Sequence, residues 1–181
     1  KRFKKVAVLM GGPSAEREVS LRSGAAVTAG LREAGYDAVA VDVVDRTLQM
    51  PAGVDGVFVA LHGEFGEDGK VQAILDSRRI PYTGSGAKAS ERSFDKIQSK
   101  QIFVDAGIPT PRYEVLRAGG RRTLPIPVVA KPARQGSSIG VHRVFAEADW
   151  AGALADAATF DPNVVVEEFI SGRELTVGIV N

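Results

Sequence analysis

Cysteine is absent from this chain of 181 residues, and histidine occurs only twice. The lack of cysteine excludes disulfides, thiolate zinc sites and a cysteine nucleophile, and it fits a reducing compartment. A metal site built from several histidines is excluded as well, because His62 and His142 are the only two. No apolar run approaches the length that a membrane span needs.

The N-terminal segment imitates an export signal, because basic residues precede an apolar run. That run covers only residues 6–10 and stops at Gly11, whereas a signal peptide needs about seven apolar residues or more. We therefore predict a first strand here. The formal net charge of +1 gives no reason to expect nucleic acid or an anionic membrane as the main partner.

Short apolar runs alternate with helical patterns in the first half of the chain. Strands are predicted at residues 6–10, 38–44 and 57–61, and helices at residues 14–34, 71–79 and 93–106. Alternating strands and helices favour a parallel sheet with right-handed crossovers. The first strand is continuously apolar, which is typical of a strand buried on both faces.

The pattern changes after Gly107, where Pro109 and Pro111 favour extended chain over helix. Strands are predicted at residues 127–131, 140–144, 164–169 and 174–180, with one clear helix at residues 146–158. This is an α+β pattern with hairpins. We place the division between two domains after residue 90, so that the domains cover residues 1–90 and 91–181.

A strand lysine beside a flexible loop is the most informative motif. Lys131 ends the predicted strand of VVAKPARQGSSIGV, and Gly136, Ser137 and Ser138 form the tip of the following loop. Lysine supplies a point charge, and the backbone N–H groups of a turn form an anion-binding concavity, so together they can surround a polyphosphate. The alternative is a Gly/Ser hairpin tip that is only a turn.

Two further loops follow predicted parallel strands. The segment GGPSAEREVS opens the first helix, whose unpaired N–H groups favour an anionic ligand. Glu16 is a candidate ligand contact, since parallel sheets bind ligands at the carboxyl ends of their strands, whereas Glu18 is interpreted as a first-turn acid. His62 opens the loop HGEFGEDG at the same predicted edge. The acids of that loop are interpreted as solvated: Glu64, Glu67 and Asp68.

Charged residues also cluster further along the chain. Lys96 and Lys100 lie one helical turn apart, and a solvated helix face is the default interpretation. Glu167 and Glu168 end an apolar strand, and Glu174 enters the next predicted strand. Acids at strand ends that face a cleft can bind a ribose or magnesium, and solvated loop acids are the equally weighted alternative.

Six segments together, in this order, resemble the D-alanine–D-alanine ligases of the ATP-grasp superfamily. They are VAVLMGGPSAEREVSLRSG, ALHGEFGEDG, IPYTGSG, SFDKIQSK, VVAKPARQGSSIGV and EEFISGRELTV. The resemblance spans residues 6–180, nearly the whole chain. It implies a Rossmann-like α/β N-terminal domain with a parallel sheet, followed by the α+β first part of an ATP-grasp fold.

The resemblance also implies roles for the matching residues. Glu16 and Ser137 are the catalytic candidates because they help to orient the substrates. The implied substrate-binding residues are Glu16, Val19, His62 and Ser137. The implied ATP-binding residues are Lys96, Lys131, Gln135, Gly136, Ser137, Ser138, Ile139, Glu167, Glu168, Ile170 and Glu174. In this set the lysines and the loop hold the phosphates, Glu174 binds the ribose, and the other acids with Ile170 line the adenine pocket.

The implied activity is ATP-dependent ligation of two D-alanine molecules through an acyl phosphate, for peptidoglycan synthesis. The same resemblance implies ATP and Mg²⁺ as cofactors, small-molecule partners without nucleic acid or membrane, a cytoplasmic location and a homodimer. The family continues beyond Asn181 with a tyrosine loop, an arginine and the magnesium ligands, so we predict that the 181-residue chain alone is inactive. Three alternatives stay open: a D-alanine–D-lactate ligase, a non-catalytic nucleotide-binding fragment and a plain flavodoxin-like domain.

Overall fold

The computed structural model describes residues 3–178. Contacts between residues divide the chain into two compact units. The first unit comprises Lys1–Ser99 with Arg134–Ser137, and the second comprises Lys100–Ala133 with Ser138–Asn181. A division by contacts does not test the predicted domain boundary after residue 90, so that boundary stays a prediction.

The first unit is built on a three-stranded parallel sheet. Its elements in chain order are β1 (Lys5–Gly11), α1 (Arg17–Glu33), β2 (Asp37–Val43), β3 (Gly56–Val59), α2 (Lys70–Ser77), α3 (Ala87–Phe94) and the beginning of α4 (Lys96–Asp105). The strand order is β2-β1-β3, and β1 pairs in parallel with both neighbours. The prediction of a parallel sheet is confirmed, and each strand predicted in this half overlaps an observed one.

Strand β1 occupies the centre of this sheet because it is apolar on both faces. Ala7, Val8 and Leu9 are fully buried, and each buried valine or leucine side chain contributes about 1.5–3 kcal/mol. The hydrophobic core that includes this strand consists of Ala7, Leu9, Val43, Leu48, Val57, Leu61, Phe65, Val71 and Leu75. The carboxyl ends of β1 and β3 therefore meet at one edge of the sheet, where two polar loops emerge.

The second unit is an antiparallel sheet covered by one helix. Its elements are the end of α4, β4 (Tyr113–Leu116), β5 (Val128–Pro132), β6 (His142–Val144), α5 (Glu147–Phe160) and β7 (Val164–Glu168). The strand order is β4-β7-β5-β6, and every pairing is antiparallel. Leu154 and Ala157 of α5 pack on the buried face formed by Val128, Val164 and Val166. The predicted hairpin-rich α+β unit is thus confirmed.

Helix α1 begins at Arg17, later than the predicted start at residue 14. Ser14 lies in a turn instead, in which the N–H of Arg17 donates to the Ser14 carbonyl at 3.2 Å. The Ser14 hydroxyl donates to the carbonyl of His62 at 2.8 Å and accepts from the N–H of Glu16 at 3.2 Å. A serine that bonds nearby backbone groups competes with helix formation.

The single helix predicted at residues 93–106 is wrong, because α3 and α4 are separate. Asp95 adopts an extended conformation with φ −85° and ψ 105°. Its carboxylate accepts hydrogen bonds from the N–H groups of Ile97 at 2.9 Å and Gln98 at 3.3 Å. Asp95 therefore caps the start of α4 and ends the hydrogen-bond ladder of α3.

The strand predicted at residues 174–180 is not formed over residues 174–178, and its last residues lie outside the described part of the chain. Leu175 and Val177 are largely exposed. Alternating apolar residues form a strand only where a neighbouring strand satisfies their backbone groups. Strand β4, by contrast, forms where the sequence predicts only extended chain.

Among residues 3–178, no helix combines the length and apolar character needed to cross a membrane.

Candidate functional site

Two loops of the first unit leave the sheet where β1 and β3 end. The N–H of Gly11 donates to Ser20 Oγ at 2.9 Å, and Ser20 Oγ donates to the Ala60 carbonyl at 2.6 Å. Because Ser20 is fully buried, these bonds hold the first turns of α1 against both strand ends. A Cβ on Gly11, which has φ +83°, would lie 2.3 Å from Asp42 Oδ1. Because Asp42 can move aside, it is mainly the positive φ that favours glycine at this position.

Glu16, at the N-terminal end of α1, is hydrogen-bonded to the tip of the Gly/Ser loop. Ser137 Oγ donates to Glu16 Oε1, and residues 134–137 belong by their contacts to the same unit as Glu16. Ser137 and Ser138 both have positive φ, 50° and 61°, a conformation that costs a residue other than glycine about 1 kcal/mol or more. The hydrogen bond to Glu16 offsets part of that cost for Ser137. The structure therefore brings the two predicted catalytic candidates together.

The base of the same loop is held by Lys96. Its Nζ donates to the carbonyl of Gln135, and both residues belong to the first unit. A lysine ammonium has three N–H donors, so it can hold a loop carbonyl and contact an anion at the same time. Of the other predicted loop residues, Gly136 follows Gln135 at the tip, and Ile139 is half-buried.

His62 lies close to α1 and to an acid of its own loop. Its Nε2 is 3.1 Å from Ser23 Oγ, and its Nδ1 is 3.7 Å from Glu67 Oε1. Ser14 bonds both the carbonyl of His62 and the N–H of Glu16, so it links the two loops directly. Val19, the remaining predicted substrate residue, is about half exposed on α1.

Glu67, which the sequence predicts to be a solvated loop acid, has a side chain that is 47% exposed and lies beside the loop tip. An ideal Cβ on Gly136 would lie 3.6 Å from Glu16 Oε2 and 3.7 Å from Glu67 Oε2, so both carboxylates flank the loop tip. Partial burial, together with the negative charge of Glu16, raises the pKa of Glu67. The sequence signal for this location was its position in the loop after His62, at the edge where parallel strands end.

The other two acids of this loop support its shape. Glu64 is an exposed partner of Arg46 and of Lys70, as the solvated interpretation expected. That interpretation is wrong for Asp68, whose side chain is only 9% exposed. Asp68 accepts from the N–H of Lys70 at 3.1 Å and pairs with the ammonium of Lys70 at 2.8 Å, at the start of α2.

A buried charge cluster forms the centre of the second unit. Glu167 Oε1 accepts a hydrogen bond from Lys131 Nζ, and Glu167 Oε2 lies 2.7 Å from Lys100 Nζ. Lys100 is 6% exposed, so the interpretation of Lys100 as part of a solvated helix face is wrong. The signal in the sequence was Glu167 itself: an acid that directly follows three valines in a strand is buried, and a buried acid needs a cation.

The two lysines determine the charge of Glu167. Burial by itself raises the pKa of this carboxyl, but the close ammonium groups of Lys100 and Lys131 together outweigh burial and lower the pKa below its ordinary value. Glu167 is therefore ionised at neutral pH, and the cluster carries two positive charges and one negative charge.

The remaining predicted residues of the second unit lie further out. Glu168 accepts hydrogen bonds from the N–H of Arg112 at 3.1 Å and from Arg112 Nε at 2.9 Å, which lowers its pKa. Glu174 lies 3.4 Å from Arg143, and both are exposed. Ile170 and Glu174 line a cavity of about 350 Å³ together with Arg143 and residues 169–173. Within the described residues, no cluster of three or more candidate ligands is placed to hold a metal ion.

These features define a class of protein. A parallel α/β unit carries a glycine loop and a helix start at its strand ends, and an antiparallel α+β unit carries a strand lysine that precedes the Gly/Ser loop in the sequence. This is the arrangement of the N-terminal part and the first ATP-grasp part of an ATP-grasp ligase.

Comparisons with known proteins identify the family. The sequence model described as "D-ala D-ala ligase N-terminus" matches residues 44–85, and the model described as "D-ala D-ala ligase C-terminus" matches residues 102–181. The chain belongs to the D-alanine–D-alanine ligase family.

Curated relatives agree along almost the whole chain. It is 52% identical to the D-alanine–D-alanine ligase of Citrifermentans bemidjiense over 98% of its own length and 60% of that protein. It is 47% identical to the ligase of Polaromonas naphthalenivorans over 98% of its length and 58% of that protein. The chain thus spans about 60% of the length of such relatives.

Solved structures give the same result. The crystal structure of the D-alanine–D-alanine ligase from Bacillus anthracis matches with a TM-score of 0.83 and 34% identity, over 93% of this chain and 58% of that one. The Helicobacter pylori ligase matches with a TM-score of 0.79 and 26% identity, over 93% of this chain and 64% of that one. The predicted combination of a Rossmann-like domain with an ATP-grasp part is confirmed by these likenesses.

Proposed function

We propose that this chain is part of an enzyme that joins two D-alanine molecules to D-alanyl-D-alanine. It supplies the contacts to the first D-alanine and many of the contacts to ATP. The observation that supports this most is the hydrogen bond from Ser137 to Glu16. It connects the loop expected over the phosphates with the acid expected to bind the first amino acid. A ligase that forms an acyl phosphate needs the γ-phosphate and a carboxylate side by side, and such a link serves that purpose.

In this proposal the cations and the loop act on ATP. Lys96, Lys131 and the backbone N–H groups of residues 135–139 neutralise charge on the phosphates, since phosphoryl transfer depends on positioning and electrostatic stabilisation. Glu167, Glu168 and Ile170 line the adenine side, and Glu174 binds the ribose. The cavity beside Ile170 and Glu174 has room for part of a nucleotide.

The first-unit residues act on the amino acids. Glu16 accepts the ammonium of the first D-alanine, with Val19 and His62 lining the same subsite. The carboxylate of this D-alanine attacks the γ-phosphorus, breaking the bond to ADP and forming an acyl phosphate. The amine of the second D-alanine then attacks the acyl carbon and expels phosphate. Ser137 holds Glu16 and the loop tip in place, and no residue of this chain becomes covalently modified.

The family resemblance implies magnesium together with ATP, but the described residues offer no ligand cluster for a metal ion. We place its ligands in the part of the relatives that this chain does not span. The proposal includes use of the product in peptidoglycan synthesis, a cytoplasmic location and a homodimer.

The test uses the complete gene product that contains these 181 residues. We expect ATP-dependent formation of D-alanyl-D-alanine, followed by mass spectrometry, with one phosphate released for each dipeptide formed. L-alanine is the matched control and should give neither product. Dipeptide yield is then measured with D-lactate in competition, and D-alanyl-D-lactate as the main product would favour the depsipeptide alternative. Absence of D-alanine-dependent phosphate release would overturn the proposal.

A second arm uses the 181-residue chain alone. We expect no turnover, because the arginine and the magnesium ligands implied by the family resemblance are absent from it. Dipeptide synthesis by this chain would contradict that part of the proposal.

A further inference from the structure

The ammonium of Lys100 is enclosed by acceptors of the second unit. Its Nζ lies 2.8 Å from Thr110 Oγ1, 3.0 Å from the carbonyl of Pro111 and 2.7 Å from Glu167 Oε2. The ring centroid of Tyr113 is 5.2 Å away, within the range of a cation–π contact. A lysine has three N–H donors, and three oxygen atoms surround this one. Lys100 therefore interacts with protein groups and is too buried to bind a phosphate itself.

Strand register explains why Glu167 connects two lysines. Glu167 of β7 pairs with Tyr113 of β4 on one side and with Val129 of β5 on the other. Lys131 follows Val129 by two residues, so its side chain lies on the same face of the sheet as that of Glu167. Helix α4 supplies Lys100 to this face. The carboxylate is held between a buried lysine from the helix and a lysine from the neighbouring strand.

The two lysines differ in accessibility, which separates their roles. The side chain of Lys131 is 21% exposed, whereas that of Lys100 is 8% exposed. The side chain of Lys131 is therefore more accessible to a ligand than that of Lys100. The cluster has one more positive than negative charge, so Lys131 retains an excess of positive charge for an anion even while it is paired with Glu167.

We propose that Lys100 is a positioning residue for the nucleotide: it holds the carboxylate of Glu167 and, through that carboxylate, the ammonium of Lys131 in the orientation that binds ATP. This inference rests on the proposed function, because it assumes that Lys131 and Glu167 face ATP. Lys100 itself touches neither the nucleotide nor the amino acids.

The inference also predicts a pH effect. The charged groups that face Glu167 are Lys100 from α4 and Lys131 from β5, while β4 contributes the Tyr113 ring beside Lys100. Without Lys100, burial raises the pKa of Glu167 and only one cation opposes it. Glu167 then takes up a proton at a higher pH than in the natural protein and releases Lys131. ATP affinity of the variant should fall as the pH decreases, whereas that of the natural protein should stay level over the same range.

The experiment compares three substitutions in the complete gene product. Lys100→Arg keeps the charge, Lys100→Gln keeps two hydrogen-bond donors without the charge, and Lys100→Met keeps neither. The control is Lys88→Met on an exposed face of α3. KM for ATP, KM for D-alanine and kcat are measured from pH 5.5 to 8, and thermal unfolding verifies that each variant is folded.

We expect Lys100→Gln and Lys100→Met to raise KM for ATP about tenfold at neutral pH, with a larger increase at pH 5.5 and KM for D-alanine changed less than about twofold. Lys100→Arg should recover most of the ATP affinity. If Lys100→Met does not fold, the comparison of Lys100→Arg with Lys100→Gln decides. Folded Lys100→Gln with the KM for ATP and the pH profile of Lys88→Met would overturn the inference, as would equal losses for both substrates. Lack of ATP-dependent ligation by the unsubstituted protein would instead overturn the proposed function.

Discussion

Replacing Glu167 with glutamine removes the negative charge from the buried cluster and leaves its shape nearly unchanged. Lys131 is partly exposed and can turn its ammonium toward water. Lys100 cannot, because its side chain is 8% exposed; it would keep its two neutral acceptors, Thr110 and Pro111, with only a neutral amide in place of the carboxylate. The energetic cost therefore falls mainly on Lys100.

The magnitude follows from the burial of the pair. Removing one partner of a buried ion pair costs about 3–5 kcal/mol, and the two neutral acceptors that remain on Lys100 favour a value of about 3 kcal/mol. With a urea dependence of about 2 kcal/mol per molar, the unfolding midpoint of the second unit should fall by about 1.5 M. That is a large fraction of a typical domain stability of about 5–15 kcal/mol.

The assay is urea unfolding of the chain at pH 7, followed by circular dichroism. Glu168→Gln is the matched control, since Glu168 is the next residue and its pair with Arg112 is exposed. Such exposed pairs contribute little to stability, so the control should shift the midpoint much less. Equal midpoints for Glu167→Gln and Glu168→Gln would refute the reasoning.

The same pair of proteins gives a pH test. The folded pKa of Glu167 lies below its unfolded value of 4.5, so its contribution to the free energy of unfolding is present above pH 4.5 and is lost as the pH falls through the folded pKa. The difference in stability between the natural chain and Glu167→Gln should therefore shrink in acid below pH 4.5. A constant difference down to strongly acidic solution would contradict the assigned direction.

Two further pairs of substitutions test the first unit. Gly24→Ala should destabilise the chain by about 1–3 kcal/mol in urea unfolding, because the new Cβ would lie 2.3 Å from Met10 Cβ. Gly30→Ala on the same helix meets no atom within 4 Å and should stabilise the chain by about 0.5–1 kcal/mol. Changes in unfolding free energy of the same sign for both variants would contradict the packing argument. Ser137→Ala should lower kcat/KM of the complete gene product for D-alanine by about tenfold or more, since it removes a hydrogen bond to a charged acceptor. The exposed control Ser77→Ala should leave this rate constant unchanged, and an unchanged rate for Ser137→Ala would remove the central support of the proposed function.

The architecture was predictable to a large extent because its signals are local. The apolar run at residues 6–10 and its glycine stop predicted β1, and the alternation of strands with helices predicted the parallel sheet. The errors lie where a local pattern has two physical solutions. Residues 93–106 are helix-forming throughout, but Asp95 bonds the following N–H groups and divides the segment into α3 and α4.

The order of the motifs and the chemistry of the turns, both properties of the sequence alone, determined the family to which this chain belongs. They also determined which loops begin at the edge of the sheet. Tertiary structure alone decided the difference between Lys96 and Lys100. The two lysines lie one turn apart on the same helix and have the same chemistry, so no local pattern separates them. Their roles differ because Lys96 holds the carbonyl of Gln135, whereas Lys100 is buried against Glu167 on a distant strand. Which charge loses its water depends on contacts between residues far apart in sequence, and those form only when the chain folds.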